Sequence, residues 1–385
     1  MNSPQLLGKS SRDSLLGPKN ILPFAVFVFS ALCSWIIAYS EGYSDFFIQC
    51  WSRWDSGHYI DIAQHGHNLA LCNPNDHSPR SAWCGNAGWA PLYPFLIYLL
   101  NAISGMHLEL CGVAISGLFF FGFLLVCSRL LEINSYQAKQ IILLCICAFC
   151  PGSIYYHAIF PISMLVFFIA LAFLSIEKNN FCMAGFSLFF ATLSHSVGFF
   201  LIGVLGLWIL YLMLSKSDKT NQVIAKILLP TIAGLLVWFS YDFIVTGHWN
   251  ATFLVQKKYE YQIITPWKMM GLRFQNLWAN QSNIRIWIEL QNFTVLFITL
   301  IVPIYIFLRS KNKFVDVLLG LFQFFLFWLP YCMGIDVSIY RSAGIQGPVY
   351  YSFQKMPTIL LLAILAIFLS FFYFHEILFL NGIIV

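Results

Sequence analysis

The segment of this chain best suited to chemistry is Trp51-Ser52-Arg53-Trp54-Asp55-Ser56-Gly57-His58-Tyr59, with Asp61, His65 and His67 close behind. A carboxylate such as Asp55, set about fifteen residues beyond an apolar run, can take the proton of an attacking hydroxyl. Partly apolar surroundings would raise its pKa and strengthen it as a base. The same residue, standing before Ser-Gly-His-Tyr, also suits the N-cap of a helix, and spacing alone favours the cap. Asp61 is six residues on, about 240° around a helix at 100° per residue. The two carboxylates are therefore not a ready pair, and Asp61 is expected to face solvent. His58 and His65 share a helical face, with His67 and His77 beyond, but no His-Glu-x-x-His spacing occurs. No metal is expected; polar histidines at an interface account for them.

The elements that must hold these residues follow from composition. Hydrophobic residues make up 59% of the 385 and charged residues 10%, against about 45–50% and about 25% in soluble domains. So few charges cannot cover a soluble surface, so the chain is an all-α polytopic membrane protein. The net charge of +5 comes from Lys and Arg in short loops, without the basic stripe of a nucleic-acid binder. Most of the 11 cysteines lie in apolar runs, where they act as small hydrophobes. Cys72 and Cys84 sit in a polar loop instead, and an extracytoplasmic setting would permit a disulfide there.

A spanning helix needs about 20 apolar residues. Candidate spans are 21–39, 110–131, 139–158, 161–177, 181–195, 197–214, 223–245, 292–308, 314–333 and 357–379, and 181–214 can also be read as one long tilted helix. The first is too long for a signal h-region of about 7–15 residues, so it is read as uncleaved. Residues 1–20 form a cytoplasmic tail and 21–385 a single membrane-embedded domain. With the tail in the cytoplasm, the short basic loops fall on that side. Three long stretches, 40–109, 246–291 and 334–356, fall on the trans side. The residues from Trp51 to His65 and the run Trp89–Leu100 read as interfacial helices in the first of these. The second carries Lys257, Lys258, Lys268, Arg273 and Arg285; positive charge on the trans side points to an anionic ligand.

Trp54-Asp55-Ser56-Gly57-His58-Tyr59 with Ile62-Ala63 and Gly66, then Ala90-Pro91-Leu92-Tyr93-Pro94, resembles the signature of the second mannosyltransferase of GPI-anchor synthesis and its bacterial relatives. These are the PIG-V-type enzymes of the GT-C superfamily. Weaker similarity follows in order at Pro151-Gly152-Ser153-Ile154, Ser194-His195-Ser196-Val197-Gly198, Gly247–Phe253, Gln256, Pro266-Trp267 and Ser338-Ile339-Tyr340-Arg341. The chain departs from the pattern in lacking an acid after Phe160-Pro161-Ile162-Ser163, in His195 for an arginine and in His248 for an aspartate.

The resemblance implies a GT-C-like bundle of about ten spans. It implies transfer of a sugar, usually mannose, from a polyprenyl-phosphate donor to a lipid or glycan hydroxyl, with inversion and Asp55 as base. The departing phosphate needs cations, for which Arg341, His195, Lys257, Lys258 and Arg273 are candidates. Substrate contacts are expected from Trp54, His58, Tyr93 and Gln256. No cofactor or metal is called for, since no Asp-x-Asp motif occurs. Membrane lipids are expected partners and nucleic acid is not. The competing readings are a sugar or lipid transporter or flippase, and an inactive lipid-binding relative. A bacterial inner membrane is the expected location, or the endoplasmic reticulum if the source is eukaryotic, with Asn250-Ala-Thr252 and Asn280-Gln-Ser282 then as glycosylation sequons.

Overall fold

The computed structural model describes residues 17–44, 48, 50–72, 82–257, 263–279, 283–309, 313–332 and 339–384. Helices dominate because apolar backbone in lipid must satisfy its own hydrogen bonds. In chain order they are α1 (Pro18–Ser40), α2 (Ser56–His65), α3 (Leu92–Ser104), α4 (Leu108–Leu130), α5 (Ala138–Ala148), α6 (Ile162–Glu177), α7 (Phe181–Ser194), α8 (Gly198–Leu214), α9 (Thr220–Val223), α10 (Leu229–Thr246), α11 (Ala251–Lys257), α12 (Pro266–Ala279), α13 (Ile286–Arg309), α14 (Lys313–Gln323), α15 (Leu329–Cys332), α16 (Ile339–Ile345) and α17 (Thr358–Leu380). One π-helical turn joins α9 to α10 and another joins α14 to α15. The strands β1 (Ala70–Leu71) and β2 (Trp83–Cys84) pair antiparallel, and Cys72 and Cys84 form the disulfide that the polar loop permitted.

Among the described residues, six helices are long and apolar enough to cross a membrane. The remaining expected spans are shorter apolar helices. The expected span 139–158 is one of these: α5 stops at Ala148, and the chain goes on through a 3-10 turn at Ser153–Tyr156. That irregular stretch is buried in protein, which is where non-helical backbone is tolerated at membrane depth. The stretch 181–214 is two helices, not one, broken at the extended His195. The helix expected from Trp51 begins only at Ser56, because Trp54 turns left-handed.

Two ends of the bundle are defined by contacts. At the basic end, Ser128 donates to the Lys19 carbonyl (2.8 Å) and Lys219 to the Asn179 side chain (2.7 Å). At the loop end, Tyr43 donates to the Leu380 carbonyl (2.6 Å) and Asn381 to Glu41 (2.9 Å). The ends of α1 and α17 thus meet in parallel. The sequence reading placed 334–356 wholly in one trans-side loop, and the contacts correct this. Arg341 lies at the loop end beside Asp55, whereas Lys355 reaches Asp316 at the start of α14 (3.5 Å) and Tyr351 reaches Glu177 at the end of α6 (2.7 Å). The chain between them runs down through the bundle as α16 and a buried 3-10 helix, Gly347–Lys355. Its Tyr, Pro and Gly content hides this passage from a hydropathy window.

Close packing fixes the scaffold. A Cβ at Gly185 would lie 1.9 Å from the Lys226 carbonyl oxygen, and one at Gly234 would lie 2.2 Å from the Thr192 hydroxyl. Glycine at these two points lets α7 lie directly against the α9–α10 helix.

Candidate active site

Trp54 adopts φ +50°, a conformation that is an outlier for a bulky residue and gathers at functional sites. The turn leaves its indole 54% exposed and sets Asp55 at the N-cap position of α2. Asp55 makes no side-chain cap bond. Its carboxylate forms an ion pair and hydrogen bond with Arg341 instead. The capping role favoured by spacing is therefore not the one its side chain takes. The turn is tied down from several directions. Arg53 donates to the Tyr43 hydroxyl (2.7 Å) and the Arg53 amide to the Ser56 hydroxyl (3.1 Å), while the Ile159 amide donates to the Trp51 carbonyl (3.1 Å). Trp51 is buried packing; Trp54 is the exposed member of the pair.

Arg341 arrives from α16. A Cβ at Gly344 would lie 2.9 Å from the Gly152 carbonyl oxygen, so glycine allows α16 to press onto the 151–154 turn. The Tyr156 hydroxyl donates to the Gly344 carbonyl and holds it there. The guanidinium lies 5.6 Å from the centre of the Phe160 ring, within cation–π range. Burial by itself raises the Asp55 carboxyl, but the Arg341 charge and hydrogen bond, with smaller help from His58 and a Trp89 hydrogen bond, outweigh it. The net result lies below the ordinary carboxylate range. The sequence reading expected a raised value; the cation it could not place next to Asp55 reverses the sign. On Arg341, burial disfavours the charge, and Asp55 more than compensates, raising it.

The other expected residues divide. His58 stacks on Trp89 with ring centres 3.7 Å apart, beside the carboxylate. His195 is within electrostatic reach of both Arg341 and Asp55; its Nδ1 accepts from the Val197 amide (3.1 Å). Gln256 packs at Gly88, where a Cβ would meet its Nε2 at 3.2 Å, so α11 borders the segment that carries Trp89. Lys257 is exposed at the end of α11. Tyr93 does not offer itself to a substrate. It is fully buried, with its hydroxyl bonded to the Gly112 carbonyl (3.0 Å) and Ser116 (2.7 Å), because α3 uses it to dock on α4. Arg273 is buried against Glu289 (3.2 Å), a carboxylate partner other than Asp55. Lys258, Ser338, His77 and the Asn280 sequon lie outside the described residues. Thr252 of the other sequon is buried.

No protein-family model matches the chain, and no curated protein does. Among solved structures, it is similar to the oligosaccharyltransferase of Archaeoglobus fulgidus, crystallised with zinc and sulfate, at 14% identity and TM-score 0.51. The alignment covers 93% of this chain and 52% of that protein. The fold is like that of this oligosaccharyltransferase over the aligned part. The chain spans about half the length of that protein, and at this identity the likeness speaks for architecture alone. The Asp55–Arg341 pair occupies the loop end of the bundle, where α2 and α3 lie.

Three features of the site escaped the sequence reading. Trp89 stacks on His58 next to the carboxylate; standing at the head of the Pro-Leu-Tyr-Pro run was its only signal. Asp61, although half-exposed, accepts from the Asn86 side chain (2.6 Å) and so ties α2 to the segment leading into Trp89. Asp242 and His67 form a fully buried pair (3.0 Å), and Thr252 bonds both Asp242 (3.0 Å) and the Ala87 carbonyl (3.1 Å). An apolar cavity of about 410 Å³ opens beside α2, lined by Ile62, Ala63, Pro91, Phe95, Leu193 and Tyr241 among others.

Proposed function

We propose that this protein is a membrane glycosyltransferase that moves a sugar from a polyprenyl-phosphate donor to the hydroxyl of a lipid-linked or glycan acceptor. The PIG-V resemblance makes mannose the expected sugar, and the Lys-, Asn- and Phe-rich composition makes a bacterial inner membrane the expected location. The observation that carries the reading is the Asp55–Arg341 pair, drawn together across 286 residues of sequence on the face of the bundle that bears the interfacial helices. A carboxylate and a guanidinium side by side supply the two charges that such a transfer requires.

Asp55 takes the proton from the acceptor hydroxyl. The oxygen's electron pair forms the new bond to the anomeric carbon from the side opposite the phosphate, which inverts the centre. The bond from the anomeric carbon to the phosphate oxygen breaks with its electrons on oxygen, and the polyprenyl phosphate leaves with an added negative charge. Arg341 is placed to stabilise that charge. The exposed Trp54 indole and His58 border the carboxylate, where a sugar ring would stack. The apolar cavity beside α2 suits the prenyl chain.

The test is transfer of radiolabelled mannose from polyprenyl-phosphate mannose by the purified protein, with product analysis. Asp55→Asn keeps the shape but removes the proton acceptor, and should lower turnover by about 10²- to 10⁴-fold with the fold retained. Turnover within about threefold of wild type, against the roughly hundredfold minimum that loss of a base brings, would refute the base assignment. Movement of the lipid-linked sugar across the bilayer without transfer would favour a flippase.

A further inference from the structure

Trp54 and Asp55 are the two corners of a turn whose feet are Arg53 and Ser56. The Arg53 carbonyl accepts from the Ser56 amide (3.0 Å), and the Arg53 amide donates back to the Ser56 hydroxyl (3.1 Å). Asp55, at the second corner, has φ −60° and ψ −17°, a conformation open to any residue. Trp54, at the first, has φ +50°, the kind of corner that glycine usually fills because a side chain is crowded there. A bulky residue stays in that region only where its surroundings hold it.

Both feet are held. Ser56 is fully buried, and its hydroxyl reaches the Trp51 carbonyl (3.4 Å), which also accepts from the Ile159 amide (3.1 Å). Arg53 is held through its side chain. The guanidinium lies 5.4 Å from the centre of the Tyr43 ring, and its Nη2 donates to the Tyr43 hydroxyl (2.7 Å). That hydroxyl donates onward to the Leu380 carbonyl (2.6 Å), one of the last carbonyls of α17, which a helix leaves without an internal partner. Tyr43 is itself seated on α1, because its amide donates to the Ala38 carbonyl (3.1 Å). The first foot of the turn is thereby fastened to the joined ends of α1 and α17.

Resting on the transferase reading above, we propose that Arg53 and Tyr43 are positioning residues for the sugar transfer: through Leu380 they lock the first foot of the turn, hold Trp54 left-handed against its own preference, and so keep the Asp55 carboxylate where it meets Arg341. Neither residue touches substrate. The corner carries tryptophan, whose exposed indole borders the carboxylate, where the backbone alone would favour glycine; the clasp makes that residue compatible with a fixed base. Releasing the foot lets φ of Trp54 return to negative values. Asp55, next in the chain, swings with the peptide plane that joins the two residues, and a catalytic group displaced by about 1 Å can lose about 10²-fold in rate. Ser56 keeps its buried seat, so α2 stays folded.

The experiment uses the full-length protein with polyprenyl-phosphate mannose as donor. Tyr43→Phe keeps the ring against the guanidinium and removes the one oxygen that joins Arg53 to Leu380. It should lower kcat by about 10- to 10²-fold without raising the donor KM, since Arg341 and the apolar cavity are untouched. Arg53→Gln should lower kcat to a similar level, and the double variant should fall no further, because both substitutions open the same contact. Glycine takes either sign of φ about equally, so a turn with Trp54→Gly no longer depends on the clasp. Trp54→Gly loses the indole, but adding Tyr43→Phe to it should bring a further loss of only about twofold. A merely structural role, joining α1 to α17, would lower Tm and kcat to the same extent in both backgrounds. An unmoved kcat in Tyr43→Phe, additive losses in the double variant, or equal losses with and without Trp54→Gly overturn the proposal. An arm free of activity measures the coupling between Asp55 and Arg341 in reversible unfolding, in the wild type and in Tyr43→Phe. The coupling should shrink once the foot is released; an unchanged coupling overturns the clasp. A wild type that transfers no mannose would sink the transferase reading, and the coupling would still decide whether the clasp holds the turn.

Discussion

A double-mutant cycle on Asp55 and Arg341 tests the site at its centre. Asp55→Asn leaves a guanidinium without its carboxylate, Arg341→Gln leaves a carboxylate without its cation, and the double variant leaves neither charge. The side chains retain 20% and 13% exposure, which sets the pair between two limits. Exposed pairs contribute about 0–1 kcal/mol, and removing one partner of a fully buried pair costs about 3–5 kcal/mol. A coupling of about 2 kcal/mol is expected at neutral pH, so the double variant should be more stable than the sum of the single losses predicts. Linkage gives the pH dependence. The folded-state value of Asp55 lies below its unfolded value, so the pair's contribution is full above the unfolded carboxylate range. It is lost as pH falls through the folded value. The assay is reversible unfolding in detergent for all four proteins, at neutral and at acid pH, with sugar transfer measured on the same samples. Activity should be lost in all three variants even where stability returns. Single losses that add to within about 0.5 kcal/mol, the scatter of independent sites, would show that the two side chains do not depend on one another, and the site as described would fail.

Two further outcomes follow. Tyr93→Phe removes a hydroxyl bonded to Gly112 and Ser116; it should cost about 1–2 kcal/mol of stability with the donor KM unchanged, and a raised KM would return Tyr93 to the substrate. Single cysteines at 257 and 355 in a cysteine-free background should label with an impermeant reagent from opposite faces of the membrane, because Lys257 belongs to the loop end and Lys355 reaches Asp316 at the other; labelling of both from one face would contradict the buried passage of 347–355.

Much of the fold was legible because the relevant forces are local. A run of apolar residues long enough to cross lipid reports itself, and α1, α4, α13 and α17 stand close to where hydropathy puts them. The short passages failed for a physical reason. The second half of α5 and the 3-10 residues 347–353 are shielded by neighbouring protein, so they need neither the length nor the uniform apolarity of a lipid-facing helix. The bend at Trp54 failed for a different reason: helical spacing from Trp51 to His65 describes side-chain periodicity, and a single left-handed residue is invisible to it.

By itself, the sequence determined the solvent this chain folds in and the main spans, and it singled out Asp55 and Arg341 separately as candidates. Only the tertiary structure decided that the two touch. With that contact it decided the sign of the Asp55 shift, which burial and a cation push in opposite directions. It also assigned Tyr93 to packing, Arg273 to Glu289 and Trp89 to a stack on His58. Periodicity and hydropathy record what each segment buries, whereas charge interactions depend on distances of a few ångström between segments far apart in the chain, and those distances exist only once the bundle has closed.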